Sequence, residues 1–401
     1  MAILKIALVF ILIMVFLGKK APIIIVMPAA SLLLALLFTL PALEFASAYG
    51  LALINPDTVL MVLTMYLIML LEGIMMERGY MDRLLSSMDE LFHSKRLNIT
   101  LLPMLIGFLP SAGGALFSAP MVDAAAQGTS LSPEDKTFLN TFYRHVMEIF
   151  FPTYPCLIIT IQLTGLPFGR LLLVLFPLAI MVFLLGQWYL HKLPRHQPFP
   201  NSGRGKMTLA LLAALWPLLA LIVLMLAFQV PVYIATAIIL LAFIVAERIN
   251  MRDLPRLLLK STKMRMLLMV LVVMAFKDIL IHCGVTEILP DAIAALPVPA
   301  FLTFSLMALL ISVITGMTFT AVGITLPLAL VGATNPLPIA VLILLSGYCG
   351  VMITPMHLCI TMVAEHFNAD LRRVLSKSLP PYLGIYLASL GLYLLLSKAG
   401  Y

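Results

Sequence analysis

The stretch GFLPSAGGALFSAPMVD, residues 107–123, contains two prolines, three glycines, two serines and an aspartate, in a chain that is 62% hydrophobic. Proline ends a helix because it lacks a backbone N–H, and glycine reaches the backbone angles that tight turns need. The stretch therefore predicts a turn of the chain in apolar surroundings, with a helical arm on either side.

The composition of the 401-residue chain places these surroundings in a lipid bilayer. Only 11% of the residues are charged, and the mean hydropathy is +1.10, far above that of soluble proteins. Most apolar runs have the ~17–25 residues that cross about 30 Å of hydrocarbon. The net charge of +7 lies between these runs and forms no basic patch, so nucleic acid is not an expected partner.

Two further features limit the chemistry of the chain. Residues 2–17 are expected to stay as a helix rather than be cleaved as a signal, because Lys19 and Lys20 follow the apolar run instead of preceding it. The four cysteines lie in apolar context without a CxxC pair. Neither a metal site, nor a disulfide, nor a cofactor is expected.

The apolar pattern predicts an all-α polytopic membrane protein with about ten transmembrane helices. The predicted helices cover residues 2–17, 22–40, 58–77, 137–165, 168–190, 207–227, 231–247, 266–284, 339–366 and 379–397. Two other segments, residues 98–127 and 299–332, are too long and too broken for one crossing. We expect each of them to be a re-entrant helical hairpin.

The distribution of basic residues supports the hairpins. If the N-terminus is outside and both segments return to the face they entered from, 20 of the 25 Lys and Arg residues lie in inner loops. The two long outer loops, residues 41–57 and 285–299, contain acids and no bases. This asymmetry follows the positive-inside rule and predicts a multi-pass protein of the cytoplasmic membrane with both termini outside.

The chain also shows traces of an internal duplication. Three stretches match in the same order: residues 69–85 with 274–290, 107–116 with 316–325, and 151–157 with 354–360. Five crossings per half is an odd number, so the second half must be inverted relative to the first. The predicted units are a first repeat at 1–190, a cytoplasmic linker at 191–206 and a second repeat at 207–401.

Each hairpin arm is long enough to reach only the middle of the bilayer. Unpaired backbone groups are tolerated there only inside protein or beside water. The helix at 137–165 is expected to break at Pro152 and Pro155, and the helix at 339–366 at Gly347, Gly350 and Pro355. The two hairpin tips and the two helix breaks would then meet near the centre of the bilayer. Helix N-termini at this point would favour an anion, and free carbonyl oxygens would favour a small cation.

These motifs carry a resemblance to a known family. GFLPSAGGALFSAPMVD, RHVMEIFFPTYP from Arg144 and GYCGVMITPMHLCI from Gly347 look like a domain-of-unknown-function family of prokaryotic integral membrane proteins grouped with the ion transporter superfamily. The resemblance implies inverted repeats, two re-entrant hairpins and cation-coupled uptake of a small anionic, carboxylate-type solute by a homodimer in the lipid membrane. Dicarboxylate carriers of that superfamily have a Ser-Asn-Thr tip, whereas this chain has Ser111-Ala112-Gly113 and Thr320-Ala321-Val322.

Candidate site residues lie at the predicted tips and breaks. Those expected to bind substrate are Ser111, Gly113, Gly114, Arg144, Thr153, Thr320, Gly323, Thr354 and His357. Those expected to serve ion coupling are Ser111, His145, Glu148, Thr318 and Thr320. The hydroxyl groups could ligate substrate or sodium, or cap half-helices. Replacing Gly114 or Gly323 by leucine is expected to abolish transport without unfolding the protein.

The charged residues at membrane depth leave alternatives open. Arg144 either compensates an anionic substrate or pairs with Glu148 at i, i+4. His145, Glu148 and His357 suit a proton as the coupling ion, while hydroxyls and carbonyls suit Na+, which is slightly preferred.

Outside this group, Glu72, Lys277 and Asp278 are expected to form structural ion pairs. Asp123 is expected at the inner water, and Glu365 and His366 at the inner interface.

A secondary transporter rather than an enzyme is the preferred function. It needs no ATP site, and the chain has no GxxxxGK[ST] motif. One alternative is a flippase for a phosphorylated lipid. Another is an intramembrane hydrolase with Ser111 as nucleophile and His145 or His357 as base.

Overall fold

The computed structural model of the protein describes residues 2–19, 21–80, 83, 94–108, 115–190, 204–285, 287–288, 297–331 and 333–399. These residues contain 18 α-helices and no strand. The helices are α1 (Ala2–Gly18), α2 (Ile23–Leu37), α3 (Ala42–Ile54), α4 (Pro56–Glu77), α5 (Lys95–Ile106), α6 (Ala115–Ala126), α7 (Pro133–Arg144), α8 (Pro155–Thr164), α9 (Phe168–Gln187), α10 (Arg204–Ala227), α11 (Val232–Ala246), α12 (Leu254–Ser261), α13 (Met264–His282), α14 (Ala300–Thr315), α15 (Thr318–Ala329), α16 (Pro336–Met352), α17 (Leu358–His366) and α18 (Leu371–Lys398).

The helices confirm the expected fold class, an all-α polytopic membrane protein. Three of the described helical segments, Pro56–Glu77, Phe168–Leu190 and Leu371–Lys398, are long and apolar enough to cross a bilayer, and shorter apolar helices of 10–17 residues accompany them. Many large apolar side chains face outward, among them Leu173 and Val245, which are 77% and 76% exposed. Exposed apolar side chains in such numbers are expected where the protein surface contacts lipid.

The two hairpin segments each form a pair of contacting helices. Helix α5 packs on α6, and α14 packs on α15. The arms have 12 to 16 residues, a rise of about 18–24 Å that falls short of the ~30 Å hydrocarbon layer. The second hairpin turns at Gly316 and Met317, whereas the first tip, residues 109–114, lies outside the described residues.

Both long helices are interrupted where proline occurs. Helix α7 ends at Arg144, a 3-10 turn follows at His145–Ile149, and α8 begins only at Pro155. The second interruption separates α16 from α17 and contains Pro355.

The expectation that Gly347 and Gly350 break the second helix is wrong, because both lie inside α16. A Cβ at Gly350 would come within 2.4 Å of the Leu309 carbonyl oxygen. Gly350 therefore allows α14 and α16 to pack closely, while Gly347 lies against Thr318 and Ala321 of α15.

Two short helices occupy segments for which no helix was predicted. Residues 41–57 were expected to be an outer loop, but α3 occupies most of them. Helix α12 lies between α11 and α13. Helix α3 packs on α13, and α12 packs on α4, so each short helix contacts a long helix of the other half.

The order of elements in α1–α9 recurs in α10–α18. Each series has two apolar helices, a short helix, a long helix, a hairpin, a broken helix and a final long helix. Left-handed backbone angles follow matching helices at offsets of 209, 205 and 203 residues: Thr39 and Arg248, Gly79 and Gly284, and Gly165 and Asn368. This pattern supports the division into repeats, which stays a prediction.

Candidate functional site

The two broken helices exchange partners at the centre of the molecule. Helix α8 packs on α15 and α16 of the second half, while α17 packs on α6 and α7 of the first. Each half of the chain thus places one half-helix against the hairpin and broken helix of the other half. This exchange brings the two interruptions next to each other.

Two histidines join the interruptions. Nε2 of His145 lies 2.9 Å from Nε2 of His357, and the two rings lie edge to face with their centroids 4.8 Å apart. Nδ1 of His145 lies 2.7 Å from the carbonyl oxygen of Thr141. Two predicted site residues, 212 positions apart in the chain, therefore form one polar contact.

Buried charges surround this pair. Arg144 and Glu148 are only 2% and 8% exposed. Nη1 of Arg144 lies 3.4 Å from Nε2 of His145. The hydroxyl of Thr318, at the start of α15, donates a hydrogen bond of 2.5 Å to Oε1 of Glu148. The second hairpin is thereby tied to the first broken helix through a carboxylate.

A glycine at the end of the first arm of each hairpin supports the site. A Cβ on Gly107 would lie 2.3 Å from the carbonyl oxygen of Arg144, the last residue of α7, and a Cβ on Gly316 would lie 2.5 Å from the carbonyl oxygen of Met356 in the second interruption. The hydroxyl of Tyr154 donates to the carbonyl oxygen of Gly107 at 2.6 Å. Nδ1 of His357 lies 3.3 Å from the carbonyl oxygen of Gly316. The two hairpins are therefore held in related ways.

The remaining predicted site residues differ in what the structure describes of them. Ser111, Gly113 and Gly114 are outside the described residues. The hydroxyl of Thr354 donates to the Val313 carbonyl oxygen of α14 at 2.5 Å, which fits the capping role. Thr153 is buried, with its hydroxyl lacking a partner within the described part of the chain.

The expected position of Thr320 and Gly323 at the second tip is wrong. Both lie inside α15, after a turn that ends at Met317. A Cβ on Gly323 would come within 2.6 Å of Val273 Cγ1 and 3.0 Å of Ile159 Cδ1. Gly323 thus serves helix packing, and a leucine there would disrupt the core rather than only the turn.

Sequence reasoning missed three members of the site, namely Cys359, Tyr154 and Gly316. The sequence places Cys359 in an apolar run without a CxxC pair, yet its sulfur and one nitrogen each of His145 and His357 lie within 4.8 Å of one another. Such donors can bind a transition metal. The permanent charge of Arg144 beside Nε2 of His145 opposes a cation at that nitrogen.

The other charged residues at membrane depth lie away from the cluster. Nζ of Lys277 pairs with Asp278 at 3.0 Å, and Asn55 donates to the same carboxylate at 3.0 Å. Lys277 lines a cavity of about 440 Å³, whereas Glu72 lines a different cavity of about 370 Å³ with Lys263. Lys277 therefore forms a structural ion pair with its sequence neighbour Asp278, and the described residues show no ion pair between Lys277 and Glu72.

The residues expected at the inner water make surface contacts. Asp123 pairs with Lys136 at 2.6 Å, with its side chain 49% exposed. Glu365 and His366 are exposed at the end of α17. These positions agree with the interfacial roles expected of them.

Comparison with known proteins adds a family and a fold. A family model described as "Protein of unknown function (DUF401)" matches residues 2–396. The chain matches no curated protein. The crystal structure of the Alcanivorax borkumensis YdaH transporter is similar, with a TM-score of 0.60 and 14% sequence identity over 90% of each chain. At this identity the likeness is one of fold.

Proposed function

Because the chain belongs to the DUF401 family and shares its fold with a transporter, we propose that it is an ion-coupled secondary active transporter. Its substrate is a small anionic solute of the carboxylate type, moved across the cytoplasmic membrane. The coupling cation is Na+ or H+, and the working unit is a homodimer in lipid.

The observation that carries this proposal is the meeting of two interrupted helices around a buried arginine. An ionisable group at membrane depth is costly and usually serves function. Arg144 is 2% exposed, and a guanidinium presents the donors that match a carboxylate. Hydroxyl and imidazole groups next to it come from both halves of the chain, as in a substrate site between two repeats.

The architecture suggests how such a site would be opened to either face. We assign residues 1–190 and 207–401 to two inverted repeats and the protein to the ion transporter superfamily. Helices α4 and α13, with the short helices that pack on them, form a scaffold. The hairpins and broken helices form the part that moves against it, so the central site faces each side of the membrane in turn.

A ligand screen followed by uptake tests the proposal. Purified protein is heated with acetate, succinate, citrate, phosphate or taurine, with and without Na+. A ligand that binds only the folded state, at a concentration of 100 times its Kd, stabilises the folded protein by about 2.7 kcal/mol. The ligand that stabilises most is then tested for gradient-driven uptake into proteoliposomes, with leaflet exchange of a phosphorylated lipid and hydrolysis measured in parallel.

Arg144→Gln links the result to the site. We expect this variant to lose anion binding by more than tenfold, because a buried charge-assisted pair contributes about 1.5–3 kcal/mol. Arg373→Gln is the matched control, since that side chain is 75% exposed at the start of α18. Equal anion affinity in both variants, or lipid exchange without solute uptake, would refute the proposal.

A further inference from the structure

Glu72 is a buried carboxylate that lies outside the cluster of histidines. It belongs to α4, one of the described helices that are long and apolar enough to cross a bilayer, and it is only 6% exposed. Its buried oxygen Oε1 has no hydrogen-bond partner among the described residues. An ionised carboxylate is costly in such surroundings unless a positive group pairs with it, so Glu72 requires either a ligand or a proton.

The second half of the chain shows how a charge at the matching position is compensated. Lys277 follows Glu72 by 205 residues, the same separation as between Gly79 and Gly284. The ammonium group of Lys277 pairs with Asp278 at 3.0 Å. In the first half Gly73 stands at the position that corresponds to Asp278. Glu72 therefore lacks the neighbouring counter-charge that Lys277 has.

Glu72 lines a cavity between α4 and α12. The cavity has a volume of about 370 Å³, and Ser261, Glu77 and Lys260 also line it. A Cβ on Gly73 would overlap with Oγ of Ser261, so this glycine allows α12 to lie close to α4. The side chains of Glu77 and Lys260 pair with each other and are 38% and 61% exposed. A cavity of this size holds several water molecules at about 30 Å³ each, so water can reach the buried carboxylate.

The oxygen atoms in this cavity suit a proton rather than a metal cation. Hard metal cations take about six oxygen ligands. The side chains that line the cavity offer the carboxylate of Glu72 and the hydroxyl of Ser261, because Glu77 is already bound to Lys260. A proton needs only one carboxylate oxygen, and its binding removes the buried negative charge.

We propose that the coupling ion is a proton carried by Glu72 and exchanged with the inner water through the cavity between α4 and α12. The inner side is the one predicted for this cavity from the basic residues around Lys260. This inference rests on the proposed function, because it names the coupling ion of the same transporter. It replaces sodium, the ion slightly preferred from the sequence, and places the ion on α4 instead of at the residues predicted for coupling.

Electrostatic interaction links the proton to the anion. Glu72 and Arg144, the residue proposed to bind the anion, are close enough for their charges to interact. With Glu72 ionised, the charges of Glu72, Glu148 and Arg144 add up to −1. One proton on Glu72 brings this sum to zero, which favours the binding of an anion at Arg144. By reciprocity the bound anion favours the proton. Only an O–H bond forms and breaks, so both solutes cross together and nothing else is consumed.

The charged groups that act on Glu72 are few. Lys263 and Arg144 interact with it, and Lys263 is exposed to water, which screens its charge. Three contacts account for other charged groups on or next to the helices packed against α4: Glu44 with His282, Glu247 with Tyr80, and Lys277 with Asp278. The remaining titratable or charged side chains of these helices and of α4, none of which lines the cavity, are Tyr49, Asp57, Tyr66, Cys156, Tyr233, Arg256 and Arg265. Arg144 is therefore the buried positive charge that acts on Glu72.

Infrared spectroscopy tests the proton site without any substrate. The full-length protein in nanodiscs is labelled with 13C-glutamate, and the C=O stretch of protonated carboxyl groups is recorded at about pH 7, where exposed glutamates are ionised. We expect a band that Glu72→Gln removes and that the control Glu365→Gln keeps, since Glu365 is exposed at the end of α17. Glu72→Asp should keep the band without its isotope shift. A spectrum that both changes at Glu72 leave as in the wild type would overturn the proposal.

Succinate and a trapped pH dye test the coupling in proteoliposomes. We expect succinate to carry protons inward without Na+, and its affinity to fall by about 5–150-fold as the pH rises through the titration of Glu72. Glu72→Gln, which is permanently neutral, should still bind and exchange succinate at every pH but should carry no protons. Glu365→Gln should behave as the wild type. Succinate uptake that needs Na+, or stabilisation by Na+ that Glu72→Gln removes, would overturn the proton site.

The two experiments separate this inference from the proposed function. If the infrared band of Glu72 is present and no anion in the screen is transported, the proton site stands and the proposed function fails. If anion uptake is present and the band is absent, the proposed function stands and the proton site fails.

Discussion

Replacing Gly316 by alanine tests whether the hairpin turn positions the site. Gly316 has φ +67°, and a Cβ there would lie 2.5 Å from the Met356 carbonyl oxygen. Ordinary contact begins at 3.4 Å, so the backbone must open by about 0.9 Å, because neither group is a flexible side chain. The contact between His145 and His357, now 2.9 Å, would then exceed hydrogen-bonding distance.

The same change at Gly284 and Gly165 separates this effect from backbone strain. Both have nearly the same φ, +68° and +66°, and nothing lies within 4 Å of a Cβ at either position. A left-handed alanine costs about 1–2 kcal/mol in all three variants. Displacements of about 1 Å at an active centre can cost ~100-fold in rate, so we expect uptake to fall at least about tenfold in Gly316→Ala alone. Uptake and melting temperature equal to those of Gly284→Ala would refute the reasoning.

Two further changes test contacts that hold the halves together. Thr318→Val removes the donor to the buried carboxylate of Glu148 and should destabilise the protein by about 1.5–3 kcal/mol. Thr325, on the same helix, has a buried hydroxyl with no hydrogen-bond partner among the described residues, so Thr325→Val should be neutral or stabilising. Equal melting temperatures of the two variants would contradict this. Lys377→Met breaks the 2.5 Å pair with Asp135 near the N-terminal end of α18. This should cost at most about 1 kcal/mol in thermal unfolding, and an effect that high salt does not reduce would argue against an ionic origin.

The fold class and the positions of most helices could be predicted from the sequence because the signals are additive along the chain. Apolar run lengths, prolines and the sidedness of lysine and arginine each depend on local composition. The breaks at Pro155 and Pro355 lie where these signals placed them, whereas the tip of the first hairpin lies outside the described residues. The short helix α3 was missed because its apolar run contains Glu44 and polar residues and is too short to span a membrane.

Glycine was the main source of error because it signals two different things. Gly316 ends an arm with a left-handed turn, whereas Gly323, Gly347 and Gly350 lie within helices against close neighbours. A sequence shows the absence of a side chain but not which neighbour makes that absence necessary. The second hairpin already turns at Gly316 and Met317, which places Thr320 and Gly323 in α15 rather than at the expected turn.

Part of the membership of the site could be predicted from the sequence, whereas the contacts among its residues could not. Arg144, His145, Glu148, Thr318 and His357 were selected because polar groups at membrane depth are costly. Their contacts depend on how α8 and α17 exchange partners, which no local pattern encodes. The same exchange explains why Cys359, an ordinary cysteine in an apolar run, lies beside two histidines.

The central claim is that the first hairpin enters and leaves the membrane on one face, which allows its tip to meet the broken helices. It is tested by labelling Ser94→Cys and Thr129→Cys, which flank the hairpin, with an impermeant maleimide in intact cells. Cys283, the one native cysteine that is not buried, is replaced by serine, and Glu44→Cys serves as the outer control. The account predicts labelling of Glu44→Cys alone until the membrane is permeabilised, after which positions 94 and 129 react together. Labelling of positions 94 and 129 from opposite faces would contradict the hairpin and the transport site built on it.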